Sequence, residues 1–130
     1  MADASISFHH NHLISENPSA CATWYAEKLG GRIAGGEKAL SAPSIVVTFK
    51  GMILIIRARN DGENVLAKDK LEWGIDHFGF LIEGDFDGYC NALKEKGVKF
   101  TREPMDINPT MRIAFIEGPD GVSIELVHNK

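Results

Sequence analysis

The sequence lacks what a nucleic-acid or membrane protein needs. Its 14 Lys and Arg are outnumbered by 18 Asp and Glu, for a net charge of −4. No stretch gathers basic side chains into the patch that a phosphate backbone or an anionic bilayer requires. No apolar run reaches the ~18 residues that span a bilayer. The start, Met1-Ala2-Asp3-Ala4-Ser5, has neither the basic nor the apolar stretch of a secretion signal, so the chain is expected in the cytoplasm. Cysteine is scarce as well. Cys21 and Cys90 are the only two; both fall in helix-like segments and read as small buried hydrophobes. What remains is the composition of an ordinary globular protein, with 130 residues, 44% of them hydrophobic and 25% charged. That is one domain's worth of chain, enough to bury a core.

Within that domain the chain repeats itself. His10 lies in Phe8-His9-His10-Asn11-His12-Leu13-Ile14 and His77 in Asp76-His77-Phe78-Gly79-Phe80-Leu81-Ile82. The histidines stand 67 positions apart, and so do Gly30 and Gly97, each just past a helix-like segment. A shared offset at two landmarks indicates an internal duplication. The first half reads as a strand over 5–14, then a helix capped by Asn17 with Pro18 at its first position and closed by Gly30-Gly31. A short strand at 32–34, a loop over 35–42, and a hairpin of two β-rich runs around Lys50-Gly51 follow. The polar stretch 59–71 reads as a linker. The second half repeats the series: a strand over 75–82, a helix capped by Asp85 and stopped by Gly97, a short strand at 98–100, a loop over 103–110, and two strands joined by Gly118-Pro119-Asp120-Gly121. Each half is therefore β-α-β-β-β. The expected fold class is α+β, two tandem βαβββ modules (about 5–58 and 72–128) in a single domain 1–130. Helices would cover one face of a curved mixed sheet, and the other face would form a cleft.

Side chains alternate across a strand. In the second half Phe78, Phe80 and Ile82 form the apolar face, so His77 and Gly79 point towards the cleft. In the last strand Val122, Ile124 and Leu126 form the apolar face and Glu125 points the other way. A glutamate among strong strand formers is costly to shelter unless a cation neutralises it. By the duplication His10 is the partner of His77. His12 shares its parity and corresponds to Gly79, where it could serve as an acid or base, while His9 should face away. His10, His77 and Glu125 would give two imidazoles and a carboxylate with coordination positions left open. That arrangement is typical of Fe(II) oxygenases and is open also to Mn²⁺, Ni²⁺, Co²⁺ or Zn²⁺.

These residues, with Trp24-Tyr25…Leu29-Gly30 and Pro119-Asp120-Gly121…Ile124-Glu125-Leu126, make the chain resemble the vicinal oxygen chelate superfamily over nearly its whole length. That superfamily groups glyoxalase I, bleomycin-resistance proteins, fosfomycin-resistance enzymes, methylmalonyl-CoA epimerase and extradiol dioxygenases. The resemblance implies paired βαβββ modules around a metal cleft, a homodimer, and His10, His77 and Glu125 as metal ligands. It also exposes a departure. Glyoxalase I has a fourth ligand, a glutamate in the last strand of the first module, and superposing the halves through Phe49/Phe115 and Leu54/Ile124 puts Ile55 at that place.

The function expected first is a metal-dependent enzyme acting on a small substrate with vicinal oxygens, leaning to Fe(II) extradiol-type cleavage with O₂ and with His12 as proton carrier. A glyoxalase- or epimerase-like lyase or isomerase is the second reading, and a metal-free drug-binding resistance protein the third. In the third, Phe8, Trp73 and Met111 would line a pocket, although core packing is their simpler role. Arg57, Arg59 and Arg112 could bind an acidic substrate, although a solvated surface role is the simpler expectation for Arg57 and Arg59.

Overall fold

The computed structural model describes residues 3–39 and 42–130. The chain falls into two compact units, Met1–Asn64 and Val65–Lys130. The first holds β1 (Asn11–Ile14), α1 (Pro18–Leu29), β2 (Arg32–Ala39), β3 (Ala42–Phe49) and β4 (Met52–Arg57). Its sheet runs β1-β4-β3-β2, with β1 parallel to β4 and the other pairs antiparallel. The second holds β5 (Phe78–Leu81), α2 (Phe86–Glu95), β6 (Lys99–Asn108), β7 (Met111–Glu117), a 3-10 turn at Pro119–Gly121, and β8 (Ser123–Asn129). Its sheet runs β5-β8-β7-β6, again with only the first pair parallel. Both units are thus α+β modules of order βαβββ on a four-stranded mixed sheet. No helix among the described residues is long and apolar enough to cross a membrane.

Local chemistry accounts for the helices. The side-chain oxygen of Asn17 accepts from the Ala20 N–H at 3.0 Å, and Pro18 takes the first helical position, where no N–H is needed. Gly30 ends α1 at φ 79°, and its N–H bonds the Ala26 carbonyl at 3.0 Å. Asp85 caps α2 through the Gly88 N–H at 3.0 Å, and Gly97 follows its end at φ 82°. Helix α1 buries Cys21, Ala22 and Tyr25, and α2 buries Phe86, Cys90 and Leu93. Alternate strand residues complete each core: Val47, Leu54 and Ile56 in the first unit, and Ala114, Ile116, Ile124 and Leu126 in the second, all fully buried. Each large member stabilises its unit by about 1.5–3 kcal/mol relative to exposure. Both cysteines are buried, as expected, and burial pushes the Cys90 thiol up to about 11.

Two loops of the sequence reading are strands. Residues 35–39 continue β2, and residues 103–108 continue β6. Gly35-Gly36 and Pro104 suggested breaks, but both strands lie at sheet edges and shift register at those places, β2 between Ile33 and Gly35 and β6 between Arg102 and Met105. Edge strands and bulges tolerate such residues. Conversely, β1 and β5 are shorter than expected. Parallel pairing begins at Asn11 and Phe78, so His10 and His77 sit immediately before their strands. Phe8 is 70% exposed and Trp73 fully so. Both lie outside strands and helices, which rules out the expected core-packing role for them, and Met111 is half-buried.

Candidate functional site

Strand register fixes what stands beside what. In the second unit Gly79 pairs with Glu125, and in the first His12 pairs with Ile55. Since His12 corresponds to Gly79, Ile55 occupies in the first unit the place that Glu125 holds in the second. The superposition through Leu54 and Ile124 is therefore sound. The other landmark needs correction: Val46, which faces Ile55, corresponds to Phe115, which faces Glu125, so Phe49 does not. The hairpin turns differ in build, a two-residue turn in one unit and a 3-10 turn with Asp120 at φ 60° in the other, and that misaligned the two phenylalanines.

His77 and Glu125 come together. The His77 Nε2 lies 3.0 Å from Glu125 Oε2, and its Nδ1 lies 2.8 Å from Asp76 Oδ2. The Phe115 ring meets the imidazole edge-on at 5.0 Å between centroids. The side chains of His77 and Glu125 keep 31% and 22% of their exposure, so the pair is sheltered but open on one side. Gly79 makes room for it: a Cβ there would stand 3.2 Å from the Glu125 carbonyl oxygen. The Asp76 carboxylate, then that of Glu125, pushes the His77 pKa up, against the partial burial that lowers it.

In the first unit His10 and His12 are neighbours, with ring centroids 5.8 Å apart. Partial burial pushes the His12 pKa down, and nearby His10 and Arg57 push it further. His12 is therefore a neutral imidazole at pH 7, able to accept a proton. His9, expected to face away, instead has its Nδ1 2.7 Å from His10 Nδ1. Strand alternation does not govern it, because β1 begins only at Asn11.

The donor chemistry fits a divalent cation at the His77–Glu125 pair. Two donors at right angles on one octahedral ion, at about 2.1 Å each, lie roughly 3.0 Å apart, the separation observed between Nε2 and Oε2. Asp76 bonds the opposite nitrogen, the place from which a carboxylate would orient an imidazole that bound a metal. Among the described residues of each unit, no three His, Cys, Asp or Glu side chains are grouped to hold an ion. Asp76 and Phe115 were not foreseen as site residues. The first could have been, from its position beside His77; the contact of the second depends on strand register.

Two arginine expectations also change. Arg57 is not solvated: it is half-buried and grips Glu63 through both terminal nitrogens, at 2.7 and 3.1 Å. Glu63 is held down to about 2 by that grip and by the Asn60 N–H. Arg112 bonds Asp87 at the start of α2 and Asp106 on β6, at 3.0 and 3.2 Å. It ties helix to sheet.

Comparison with known proteins agrees with this architecture. The family model described as Glyoxalase/Bleomycin resistance protein/Dioxygenase superfamily matches residues 7–126. A probable lactoylglutathione lyase of Synechocystis sp. is 37% identical over 76 residues, covering 52% of this chain and 58% of that protein. The lactoylglutathione lyase of Haemophilus influenzae is 36% identical over 81 residues, covering 54% and 59%. The chain thus spans rather more than half the length of these relatives. Among solved structures, a glyoxylase/bleomycin resistance protein/dioxygenase domain from Frankia sp. EAN1pec superposes with a TM-score of 0.81 at 20% identity, over 98% of this chain and 94% of that one.

Proposed function

Because the chain belongs to the glyoxalase/bleomycin resistance protein/dioxygenase superfamily, we propose that it is a divalent-metal-dependent lyase or isomerase of a small substrate with two adjacent oxygens. The observation that carries this reading is the Nε2–Oε2 separation of 3.0 Å between His77 and Glu125, which suits two adjacent ligands of one ion. His10 is the proposed third donor. The names of the relatives favour a lyase over the O₂-dependent ring cleavage expected of an iron site, so Ni²⁺, Zn²⁺, Co²⁺ and Mn²⁺ stand beside Fe²⁺ as candidates.

A bound divalent ion supplies Lewis acidity, which stabilises negative charge on substrate oxygen. The protein supplies the rest. His77, just before β5, and Glu125, on β8, present a nitrogen and an oxygen donor. The edge of Phe115 restricts rotation of the His77 ring. His12, neutral at pH 7, takes the proton from the carbon next to the carbonyl and returns it to the adjacent one. Ile55, where a carboxylate would add a fourth donor, leaves that position to substrate or water. A homodimer belongs to the same reading, since Leu66, Leu71, Trp73 and Ile75 are each more than 70% exposed and offer apolar surface to a second copy.

The test is direct. Chelator-stripped protein is supplied with methylglyoxal and glutathione, and thioester absorbance is followed as each ion is added back. Ion-dependent thioester formation without oxygen uptake is expected, and H77A or E125A should abolish it. Oxygen consumption with a catechol, and no thioester, would replace the lyase by a dioxygenase.

A further inference from the structure

The residue just before each proposed ligand histidine touches that histidine's ring at the same atom. In the second unit Asp76 Oδ2 lies 2.8 Å from His77 Nδ1. In the first, His9 Nδ1 lies 2.7 Å from His10 Nδ1. His9 and Asp76 occupy corresponding places in the repeat, yet they are chemically unlike, one an imidazole and the other a carboxylate. What they share is the atom they engage, Nδ1, so that neither takes up Nε2, which in His77 faces Glu125 Oε2.

We infer that His9 and Asp76 are positioning residues, each holding the Nδ1 proton of the histidine that follows it so that Nε2 is presented to the ion. This rests on the metal reading above. A histidine with a free Nδ1 distributes its proton between two tautomers and its ring between several rotations. A fixed acceptor selects the Nδ1–H tautomer and one rotation, and makes Nε2 the more basic donor. Asp76 has the stronger hold, because an acceptor that carries charge makes the stronger hydrogen bond. His9 can accept only when its own proton is on Nε2. Both contacts lie outside the strands, where ladder geometry does not fix the side chains, so the preceding residue helps to hold the ring. The side chain of Asp76 is 60% exposed, so removing it leaves the core intact.

Affinity for added Zn²⁺ or Ni²⁺, measured by competition with a chromophoric chelator, tests the assignment. Asp76→Ala should weaken binding about 10- to 100-fold. Asp76→Asn should recover part of the loss, because its amide oxygen still accepts from Nδ1–H. His9→Ala should weaken binding by less than Asp76→Ala. The His77 Nδ1 proton resonance in ¹⁵N-labelled, metal-free protein gives a second readout, expected to be protected from exchange in the unaltered chain and lost in Asp76→Ala. Affinity unchanged by Asp76→Ala overturns the role of Asp76, and affinity unchanged by His9→Ala overturns that of His9. If the unaltered protein binds neither ion although the protected resonance is present, the metal reading fails and takes this inference with it. If the ion binds and the resonance is absent, the metal reading stands and the positioning role falls.

Discussion

Gly79 shows how much the candidate site depends on a missing side chain. Its φ is not in the left-handed region, so the requirement is for space alone. A methyl group there would press within 3.2 Å of the Glu125 carbonyl oxygen and 3.5 Å of its Cβ. Both neighbours belong to a paired strand and yield little. Gly79→Ala should therefore push β5 and β8 apart, lower stability by about 1–3 kcal/mol, and weaken metal binding together with it. Urea unfolding and chelator competition on the same variant check both effects; unchanged values would mean that the strands give way easily. The first unit shows the contrast, since the corresponding position holds His12, beside Ile55.

At the scale of elements, the end of β4 is secured by electrostatics. Arg57 grips Glu63, whose Oε1 also accepts from the Asn60 N–H at 2.6 Å, and Arg59 bonds the Glu63 carbonyl at 3.0 Å. The turn after the strand is thereby folded back on it. The folded-state pKa of Glu63 is depressed from 4.5 to about 2. Its contribution is therefore complete above the unfolded value near 4.5 and is lost as pH falls through about 2. Urea midpoints measured across that window should fall less steeply with acid for Glu63→Gln than for the unaltered chain, and identical slopes would dismiss the clamp. Elements were also where sequence reading succeeded and failed most visibly. Caps such as Asn17 and Asp85 act over three residues and are legible, as is the parity of Glu125 against Ile124 and Leu126. The extents of β2 and β6 were not, because pairing at a sheet edge overrides the local warning of Gly35, Gly36 and Pro104. The His77–Glu125 contact was legible as a pairing of roles, but its register, and the place of Phe115 in it, came only with the ladder.

At the scale of the molecule, the exposed apolar side chains of 66–75 need an explanation that composition does not supply. If a second copy covers them, sedimentation equilibrium should return twice the 14.3 kDa of one chain, and the double substitution Leu71→Glu, Trp73→Glu should halve it. A single-chain mass for the unaltered protein would remove the homodimer. The assembly of the second unit has its own order. Among the described residues strand β5 pairs with β8 alone, and His77 meets a carboxylate 48 residues further on. Contacts that close so long a loop form late and slowly. On the ribosome the imidazole must wait until nearly all of its unit has emerged, so nascent or prematurely terminated chains would carry the histidine without the chemistry.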